Sequence, residues 1–249
     1  MKIIILILVS ALITAFISGL FGMAGGMVFM GIIVSFMGVS EAMVVHGYVQ
    51  SISNGFRSYL IRADIRWDIL GYELLGALPA TALLAFIAFV PPKPVLFFAL
   101  GVLPVLLWFP RGWLQGDAAK PKHAVLCGFS VMSLNLVAGV AGPALDFFYV
   151  KTTLTRKEIV ATKAVTMLVS HFVKIIFFGI ALIQASGLGT LPPTWVAVAV
   201  IPCVFLGTYF GTRLLNRFSD VGFKRYTRLL VTGVGLVYLW RGLVLVGFL

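Results

Sequence analysis

The sequence predicts an all-α integral membrane protein built from two inverted repeats. Three observations support this prediction. The chain of 249 residues is 61% hydrophobic and only 11% charged. Apolar runs follow one another from end to end, and several reach the roughly 20 residues that a helix needs to cross a bilayer. Two glycine-rich interruptions, "GLFGMAGG" at 19–26 and "NLVAGVAGP" at 135–143, lie at matching places in the two halves.

The composition separates this chain from soluble proteins and from membrane β-barrels. Soluble domains are about half apolar and about a quarter charged. A transmembrane barrel would alternate apolar and polar residues in segments of about ten, and no such alternation is present. The net charge of +11 is compatible with nucleic-acid binding. However, the Lys and Arg residues cluster in loops, as they do on the cytoplasmic side of membrane proteins, so we expect a lipid bilayer as partner and no nucleic acid.

The apolar segments predict the helices and include two that are too short to span a membrane. The segments lie at 3–22, 27–38, 40–61, 68–90, 94–109, 123–138, 143–154, 157–184, 194–214 and 226–248. The short segments are 27–38 and 143–154, and each of them follows a glycine break. The loops between segments are short and carry Pro or Gly, which is typical of turns.

The two halves resemble each other at a fixed offset. Adding 117 to a residue number pairs Gly22 with Gly139, Gly25 with Gly142, and Arg57 with Lys174. A longer connection in the second half pairs Gly76 with Gly207. An ordered series of matches indicates a duplicated unit. We therefore predict a first transmembrane repeat at 1–110 and a second at 111–249, together forming one membrane domain.

Equivalent loops differ in charge, which predicts that the second repeat is inverted. Arg62 and Arg66 follow the 40–61 segment, whereas "ASGLGTLPP" after its counterpart contains no Lys or Arg. Only Lys93 follows 68–90, whereas several basic residues follow 194–214. Basic loops collect in the cytoplasm. Equivalent loops should therefore lie on opposite sides of the membrane, an arrangement that is common in secondary transporters.

Inversion requires an odd number of crossings in each repeat. Each repeat has three spanning segments and one glycine-broken segment, so the broken segment must enter and leave on the same side. The basic loops 110–122 and 151–157 place both ends of 123–154 in the cytoplasm. By symmetry, 2–38 re-enters from outside, and both chain ends are external. The alternative is that 3–22 is long enough to cross the membrane fully.

The glycine breaks predict a binding site. Irregular backbone is tolerated at membrane depth only where protein buries it or where it lines a wet cavity. Two helix ends that meet near the midplane offer free N–H groups and positive dipole ends, which suit an anion. The alternative interpretation is a tight helix-packing surface made of small residues.

Polar side chains line one face of each neighbouring helix. On 40–61 these are His46, Gln50, Ser53 and Arg57, with Asn54 beside them, and on 157–184 they are Lys163, Thr166, Ser170 and Lys174, with His171 beside them. Polar and cationic groups inside a membrane helix usually face an interior path. The alternative for Arg57 and Lys163 is that they lie near helix ends and extend to the interface.

Acidic residues are scarce within the predicted spans, so the buried excess of charge is cationic. Asp146 and His46 are candidates for proton coupling, and Glu73 on the third span is a further carboxyl that could carry a proton. The alternative for Asp146 is a cap or a pair with a nearby Lys. The sequence contains no Walker loop, HExxH motif or nucleophile triad, so we expect neither an enzyme, nor a cofactor, nor a metal site.

Together the motifs "GLFGMAGG", "VQSISNGFRS" and "NLVAGVAGP" resemble those of the TauE/SafE family of membrane permeases, often called sulfite exporters. The resemblance covers nearly the whole chain. Family members usually show a fuller GxGGG where this chain has Met23, Ala24, Gly25 and Gly26. Site residues implied by the resemblance are Gly22, Gly25, Gly26, Gln50, Ser53, Asn54, Arg57, Gly139, Gly142 and Pro143; the predicted site also includes Ala24, Ser170, His171 and Lys174.

The resemblance implies a secondary transporter of small sulfur-containing anions such as sulfite, thiosulfate or sulfoacetate, acting as an exporter in the bacterial cytoplasmic membrane. A coupling proton or sodium ion is an additional expected partner. Two other functions stay open from the residues alone, namely a passive anion channel and a membrane subunit that transports nothing. The oligomeric state, the coupling ion and the exact anion are not determined by the sequence.

Overall fold

The computed structural model describes residues 2–21, 24–108, 116–185, 187–215 and 220–248, and every regular element in these ranges is helical. The α-helices are α1 (Lys2–Phe21), α2 (Ala24–Phe36), α3 (Val39–Leu60), α4 (Trp67–Phe86), α5 (Lys93–Val102), α6 (Pro121–Val137), α7 (Gly142–Tyr149), α8 (Arg156–Ala185), α9 (Thr194–Leu215) and α10 (Asp220–Leu245). Short 3-10 helices lie at Arg62–Asp64, Leu103–Trp108 and Leu188–Thr190.

Among the described residues, four helices are long and apolar enough to cross a membrane: Lys2–Leu20, Trp67–Phe86, Arg156–Ala185 and Thr194–Leu214. Large apolar side chains point outward from them, as with Leu78 at 65% and Ile176 at 62% exposure. In water this would be unfavourable, whereas in a bilayer it is the expected surface. The predicted all-α integral membrane protein is therefore confirmed.

Two helices at the centre of the molecule carry the polar faces. They are α3 and α8, and they pack antiparallel, because Gly47 lies against Ile175 while Gly55 lies against Leu168. With 22 residues α3 is long enough to cross a bilayer, but its polar side chains make it less apolar than the four candidate spans. These side chains are buried against neighbouring helices rather than exposed to lipid, as is usual for polar groups inside membrane helices.

Glycines allow two other pairs of helices to approach closely. In the α1–α9 pair, Gly207 lies against Leu12 and Gly211 against Phe16, so the two helices are parallel. In the α4–α6 pair, Gly76 lies against Val125 and Phe129. Gly128 of α6 in turn lies against the carbonyl of Glu73. Since glycine has no Cβ, the two backbones meet directly, as in small-residue packing between membrane helices.

Each glycine break connects a long helix to a shorter one. α1 and α2 form a hairpin in which Gly25 touches the backbone of Thr14 and Ser18. α6 is followed by α7, a helix of only eight residues. The chain turns between them at Gly139, whose φ of 75° is in the left-handed region that favours glycine. The two short segments of the sequence are thus the second arms of these hairpins.

The α3–α4 connection lies at the same end of the molecule as the start of α8. The Arg66 backbone N–H donates to the Thr162 hydroxyl over 3.0 Å, and the Arg66 guanidinium lies 3.7 Å from Glu158. The 30 residues of α8 correspond to about 45 Å. The loop after α8, which contains Gly187, is therefore at the opposite end of the molecule from Arg66.

Substituting a glycine in the α4–α6 contact tests this packing. A Cβ at Gly76 would lie 1.8 Å from the Val125 carbonyl oxygen. We expect Gly76→Ala to lower the free energy of unfolding in detergent by roughly 1–3 kcal/mol, the usual cost of overpacking. Gly71→Ala on the same helix is the control, because its Cβ would have nothing within 4 Å. Equal changes for both variants would contradict the close approach of α4 and α6.

Candidate functional site

A small cavity lies between the two glycine breaks and the polar faces of α3 and α8. Its volume is about 30 Å³, against roughly 10–15 Å³ for a site that holds one water molecule. The lining residues are Ser18, Gly26, His46, Gln50, Ser53, Asn54, Arg57, Val140, Ala141, Gly142, Met167 and His171. Both hairpins and both central helices therefore contribute to one site.

α3 supplies most of the polar lining. The face predicted from its sequence is the face that lines the cavity, because residues spaced three and four apart lie above one another on a helix. Asn54 donates to the carbonyl of Gln50 over 2.9 Å, and the Ser53 hydroxyl lies 3.4 Å from the hydroxyl of Thr208 on α9. These bonds hold part of the polar face in place, while the Gln50 side chain forms no hydrogen bond within the described chain.

Arg57 brings a positive charge to the cavity wall. Its guanidinium donates one long hydrogen bond, 3.4 Å, to the carbonyl of Ser18 at the end of α1. Within the described ranges no carboxylate pairs with it. A guanidinium has five N–H donors arranged in a planar fork. Most of the donors of Arg57 are therefore available to a ligand in the cavity.

Lys174 lies behind the cavity and is bonded entirely to protein. Its side chain is fully buried at 0% exposure. The ammonium donates to the Gly139 carbonyl over 2.8 Å, to His46 Nδ1 over 2.7 Å, and to the Asn135 side-chain carbonyl over 3.3 Å. An ammonium has three N–H donors, so these three acceptors use all of them. Lys174 is not among the lining residues, although the sequence placed it with Arg57.

His46 continues this connection to the first break. Its Nε2 lies 2.9 Å from the Gly26 carbonyl oxygen, which can only accept a hydrogen bond. Nε2 therefore carries the ring proton, and Nδ1 accepts from Lys174. The carbonyl of Gly26 in the first hairpin and the carbonyl of Gly139 in the second are thus connected through one Lys–His pair.

His171 has an unused polar atom at the cavity. The residue is 1% exposed and lines the cavity, and its Nδ1 has no hydrogen-bond partner in the described structure. Its ring contacts that of His46 edge-on, with 5.4 Å between centroids. Buried polar atoms are nearly always bonded. The unpartnered nitrogen is consistent with a ligand or water occupying the adjacent space.

The predicted glycines and their neighbours fall into different environments. Gly26 faces the Gln50 side chain. Both Gly26 and Gly142 line the cavity. Gly25 instead packs against α1, where a Cβ would lie 2.0 Å from the Thr14 carbonyl. Gly139 supplies the turn and a carbonyl to Lys174. Ala24 and Pro143 lie in the first turns of α2 and α7 without lining the cavity, and Gly22 lies outside the described residues.

Asp146 and Ser170 lie away from the cavity wall. Asp146 forms an ion pair with Lys163 and its side chain is 49% exposed, which is the pairing considered above as the alternative to proton coupling. Ser170 accepts from the Asn135 amide through both its hydroxyl, at 2.6 Å, and its carbonyl, at 3.0 Å. His46, the other candidate for proton coupling, uses both ring nitrogens within the protein.

Two residues at the site were not predicted from the sequence. Asn135, at 0% exposure, bonds to Lys174 and Ser170, and Ser18 supplies both a cavity wall and the carbonyl for Arg57. Asn135 does begin the second glycine motif, and Ser18 directly precedes the first. For Asn135 the position beside the break was the signal, whereas Ser18 also continues a buried polar series on α1 with Ser10 and Thr14, at intervals of four residues.

Removing the Lys174 ammonium should destabilise the protein. In Lys174→Met the carbonyls of Gly139 and Asn135 and the Nδ1 of His46 lose their donor in a buried site. Each unsatisfied buried group costs roughly 1–3 kcal/mol, so we expect a loss of at least about 3 kcal/mol in the free energy of unfolding, measured in detergent. Lys157→Met is the control, because Lys157 is exposed on the same helix. A stability equal to that of the control would contradict this role.

Comparison with known proteins agrees with the geometry. A family model described as "Sulfite exporter TauE/SafE" matches residues 6–238, which include both glycine breaks and both central helices. No curated protein and no solved structure matches the chain. The match extends over nearly the whole sequence, and it confirms the resemblance inferred from the glycine motifs. The chain therefore belongs to the sulfite exporter TauE/SafE family of membrane transporters.

Proposed function

We propose that this protein is a secondary transporter that exports small sulfur-containing anions, such as sulfite, thiosulfate or organosulfonates, across the bacterial cytoplasmic membrane. The observation that carries the proposal is the guanidinium of Arg57, which lines a cavity between two helix breaks and has no carboxylate partner among the described residues. Arg57 is half-buried, and a charge that is withdrawn from water without a partner is costly. A bound anion would neutralise it.

The rest of the cavity suits an oxyanion. Gly26 and Gly142 place the first turns of α2 and α7 at its wall. The first N–H groups of a helix lack partners within it, and the helix dipole is positive there. The amides of Gln50 and Asn54 and the ring of His171 add polar groups. The volume of about 30 Å³ favours the smaller anions of this class in the present conformation.

Helix packing supports two inverted repeats, 1–110 and 111–249, as the basis of alternating access. In the proposed repeat, α1 corresponds to α6 and α9 corresponds to α4, so the α1–α9 pair corresponds to the α6–α4 pair. Gly207 of α9 and Gly76 of α4 are equivalent in the sequence, and each lies in close contact with the backbone of the neighbouring helix. The antiparallel pair α3–α8 would lie at the symmetry axis. Repeats that exchange their arrangements around one central site are a common mechanism in secondary transporters.

The hairpins support re-entrant segments. α1 runs parallel to α9 and α2 returns along α1, so the start of α1 and the end of α2 would lie on one side of the membrane. α6 and α7 would do the same from the other side. α1 is itself about 30 Å long at 20 residues, so its first arm would pass through most of the bilayer before the chain returns.

Cysteine labelling tests the membrane topology. In a variant without Cys127 and Cys203, a cysteine at position 62 should react only with cytoplasmic reagent, and one at position 187 only with external reagent. The reason is that basic loops stay in the cytoplasm and that these two loops lie at opposite ends of α8. A cysteine at position 93 should label from outside. Labelling of positions 62 and 187 from the same side would contradict the inverted arrangement.

Two other functions make different predictions for the same cavity. A passive anion channel would need a continuous path and would not saturate. A membrane subunit that transports nothing would not need a cationic cavity. The enclosure of the site by two hairpins favours a carrier, which binds its substrate and carries it from one side to the other.

A flux assay with an Arg57 variant tests the proposed function. We expect wild-type protein in liposomes to give saturable, counterflow-competent flux of radiolabelled thiosulfate or sulfite. Arg57→Gln should lose a charge-assisted hydrogen bond to the anion, worth roughly 1.5–3 kcal/mol. The anion concentration that gives half-maximal flux should then rise about ten- to a hundredfold. Arg57→Lys should restore only part of the affinity, because a point charge replaces a planar fork.

The control is Arg62→Gln, since Arg62 is exposed and bonds only to the carbonyl and ring of Tyr59. Equal small losses at positions 57 and 62 would indicate surface attraction and contradict the cationic cavity. Flux that rises linearly with concentration and shows no counterflow would identify a channel, and absence of flux with every anion tested would favour the subunit.

A further inference from the structure

A second buried polar cluster lies on the other side of α8 from the anion cavity. At its centre is Glu73 of α4, which is 1% exposed. Its Oε1 accepts from the Tyr149 hydroxyl of α7 over 3.0 Å, and its Oε2 lies 2.5 Å from the Thr166 hydroxyl of α8. Gly128 of α6 packs against the Glu73 backbone. Four helices therefore meet at this one residue.

No cation forms an ion pair with Glu73 within the described structure. The charged and titratable groups that face it are the Cys127 thiol from α6, the Tyr149 hydroxyl from α7 and Lys163 from α8. Lys163 is paired with Asp146. On α4, the helix that carries Glu73, Asp68 lies in the first turn and is paired with Arg66. An ionised carboxylate at this depth would therefore be buried without a counter-charge, which is strongly unfavourable.

The hydrogen bonds around Glu73 also accommodate a proton on its carboxyl. The Thr166 hydroxyl donates to the Thr162 carbonyl over 2.9 Å. A hydroxyl has one hydrogen to donate. If that hydrogen is directed to the carbonyl, the 2.5 Å contact between Thr166 and Oε2 requires a hydrogen from the carboxyl. Glu73 then donates to Thr166 while it accepts from Tyr149.

The fold does not need a carboxyl at this position. The offset of 131 that pairs Gly76 with Gly207 pairs Glu73 with Val204. Val204 is also fully buried, at 0% exposure. An apolar side chain thus fills the corresponding place in the second repeat. The carboxyl in the first repeat has a cost in burial without an evident gain in packing.

α8 connects this cluster to the anion cavity. Thr166 and Ser170 lie on the face of α8 toward Glu73, where a second cavity of about 10 Å³ adjoins the carboxyl. The next residues along the helix, Met167 and His171, line the anion cavity. A displacement of α8 at one site would therefore also move residues that line the other site.

We propose that Glu73 is a proton-binding site that is loaded and emptied once per transport cycle, so that anion movement is coupled to proton movement. The inference rests on the proposed function. The proton binds the Glu73 carboxylate from water on one side of the membrane and leaves to water on the other. Loss of the proton leaves the hydroxyls of Thr166 and Tyr149 able to donate to the carboxylate, but it places a bare charge between α4, α6, α7 and α8, so the protonated form favours the packed arrangement of the second hairpin.

The first test detects the proton without any substrate. Infrared spectra of purified protein at about pH 7, where an exposed Glu is ionised, should contain a protonated-carboxyl band that is absent from Glu73→Gln. The band should persist in Asp68→Asn, the control on the same helix, because Asp68 is exposed and paired with Arg66. A wild-type spectrum without the band would overturn the proposal.

The second test measures coupling in liposomes with radiolabelled thiosulfate. Glu73→Gln should keep anion exchange at equal pH near the wild-type rate, since a neutral amide imitates the protonated carboxyl. Acceleration by an imposed pH gradient should fall at least tenfold, to the rate without a gradient. Asp68→Asn should keep both activities.

The outcomes separate this proposal from the proposed function. Retention of the pH-driven flux in Glu73→Gln would overturn the proton site. Equal loss of exchange and of pH-driven flux would also overturn it, since Glu73 would then be only structural. Wild-type protein that transports no anion would refute the proposed function and with it the coupling, while the infrared band would still decide whether Glu73 holds a proton.

Discussion

The buried ammonium of Lys174 is the interaction on which the two halves of the site depend. It holds the Gly139 carbonyl of the second hairpin, and through His46 it holds the Gly26 carbonyl of the first. The Gly139 carbonyl belongs to interrupted backbone that could not remain at membrane depth without a partner, and the Gly26 carbonyl lies in the first turn of α2, directly after the other break. The cavity exists because these two interruptions are held facing each other, and a single side chain from α8 is placed to reach both.

Positions that the proposed repeat makes equivalent have different contacts. Arg57 and Lys174 are equivalent in the sequence, yet Arg57 lines the cavity with most of its donors unused, whereas Lys174 has all of its donors bonded to protein. The equivalent positions Glu73 and Val204 also differ: both side chains are buried, but only Glu73 carries a carboxyl. In the proposed duplicated fold, packing needs two similar scaffolds, whereas one substrate charge and one coupled proton would need only one copy of each chemical group. On this proposal, packing would preserve the symmetry and the chemistry would not.

The glycines of this chain serve two distinct purposes. Those in the α1–α9 and α4–α6 pairs let backbones touch and give a closely packed scaffold, whereas Gly26 and Gly139 leave space or conformational freedom at the breaks. Both interpretations considered for the glycine motifs are therefore realised, at neighbouring residues: Gly25 packs against α1 and Gly26 faces the cavity. The sequence could not distinguish them, because helical position alone does not reveal which neighbour a glycine will meet.

The sequence by itself determined the membrane class, the helices and the polar face of α3. The 40–61 segment became Val39–Leu60 and the 157–184 segment became Arg156–Ala185, because long apolar runs end where charges, Pro and Gly appear. The residues spaced along α3 reached one cavity because helical periodicity is a local property. Only the tertiary structure decided that Lys174 turns away from the cavity to Asn135, that Asp146 pairs with Lys163, and that Glu73 is enclosed by three other helices. Each of these outcomes depends on which distant helices pack together, and that arrangement is set by close contacts among all of them rather than by the pattern within any one segment.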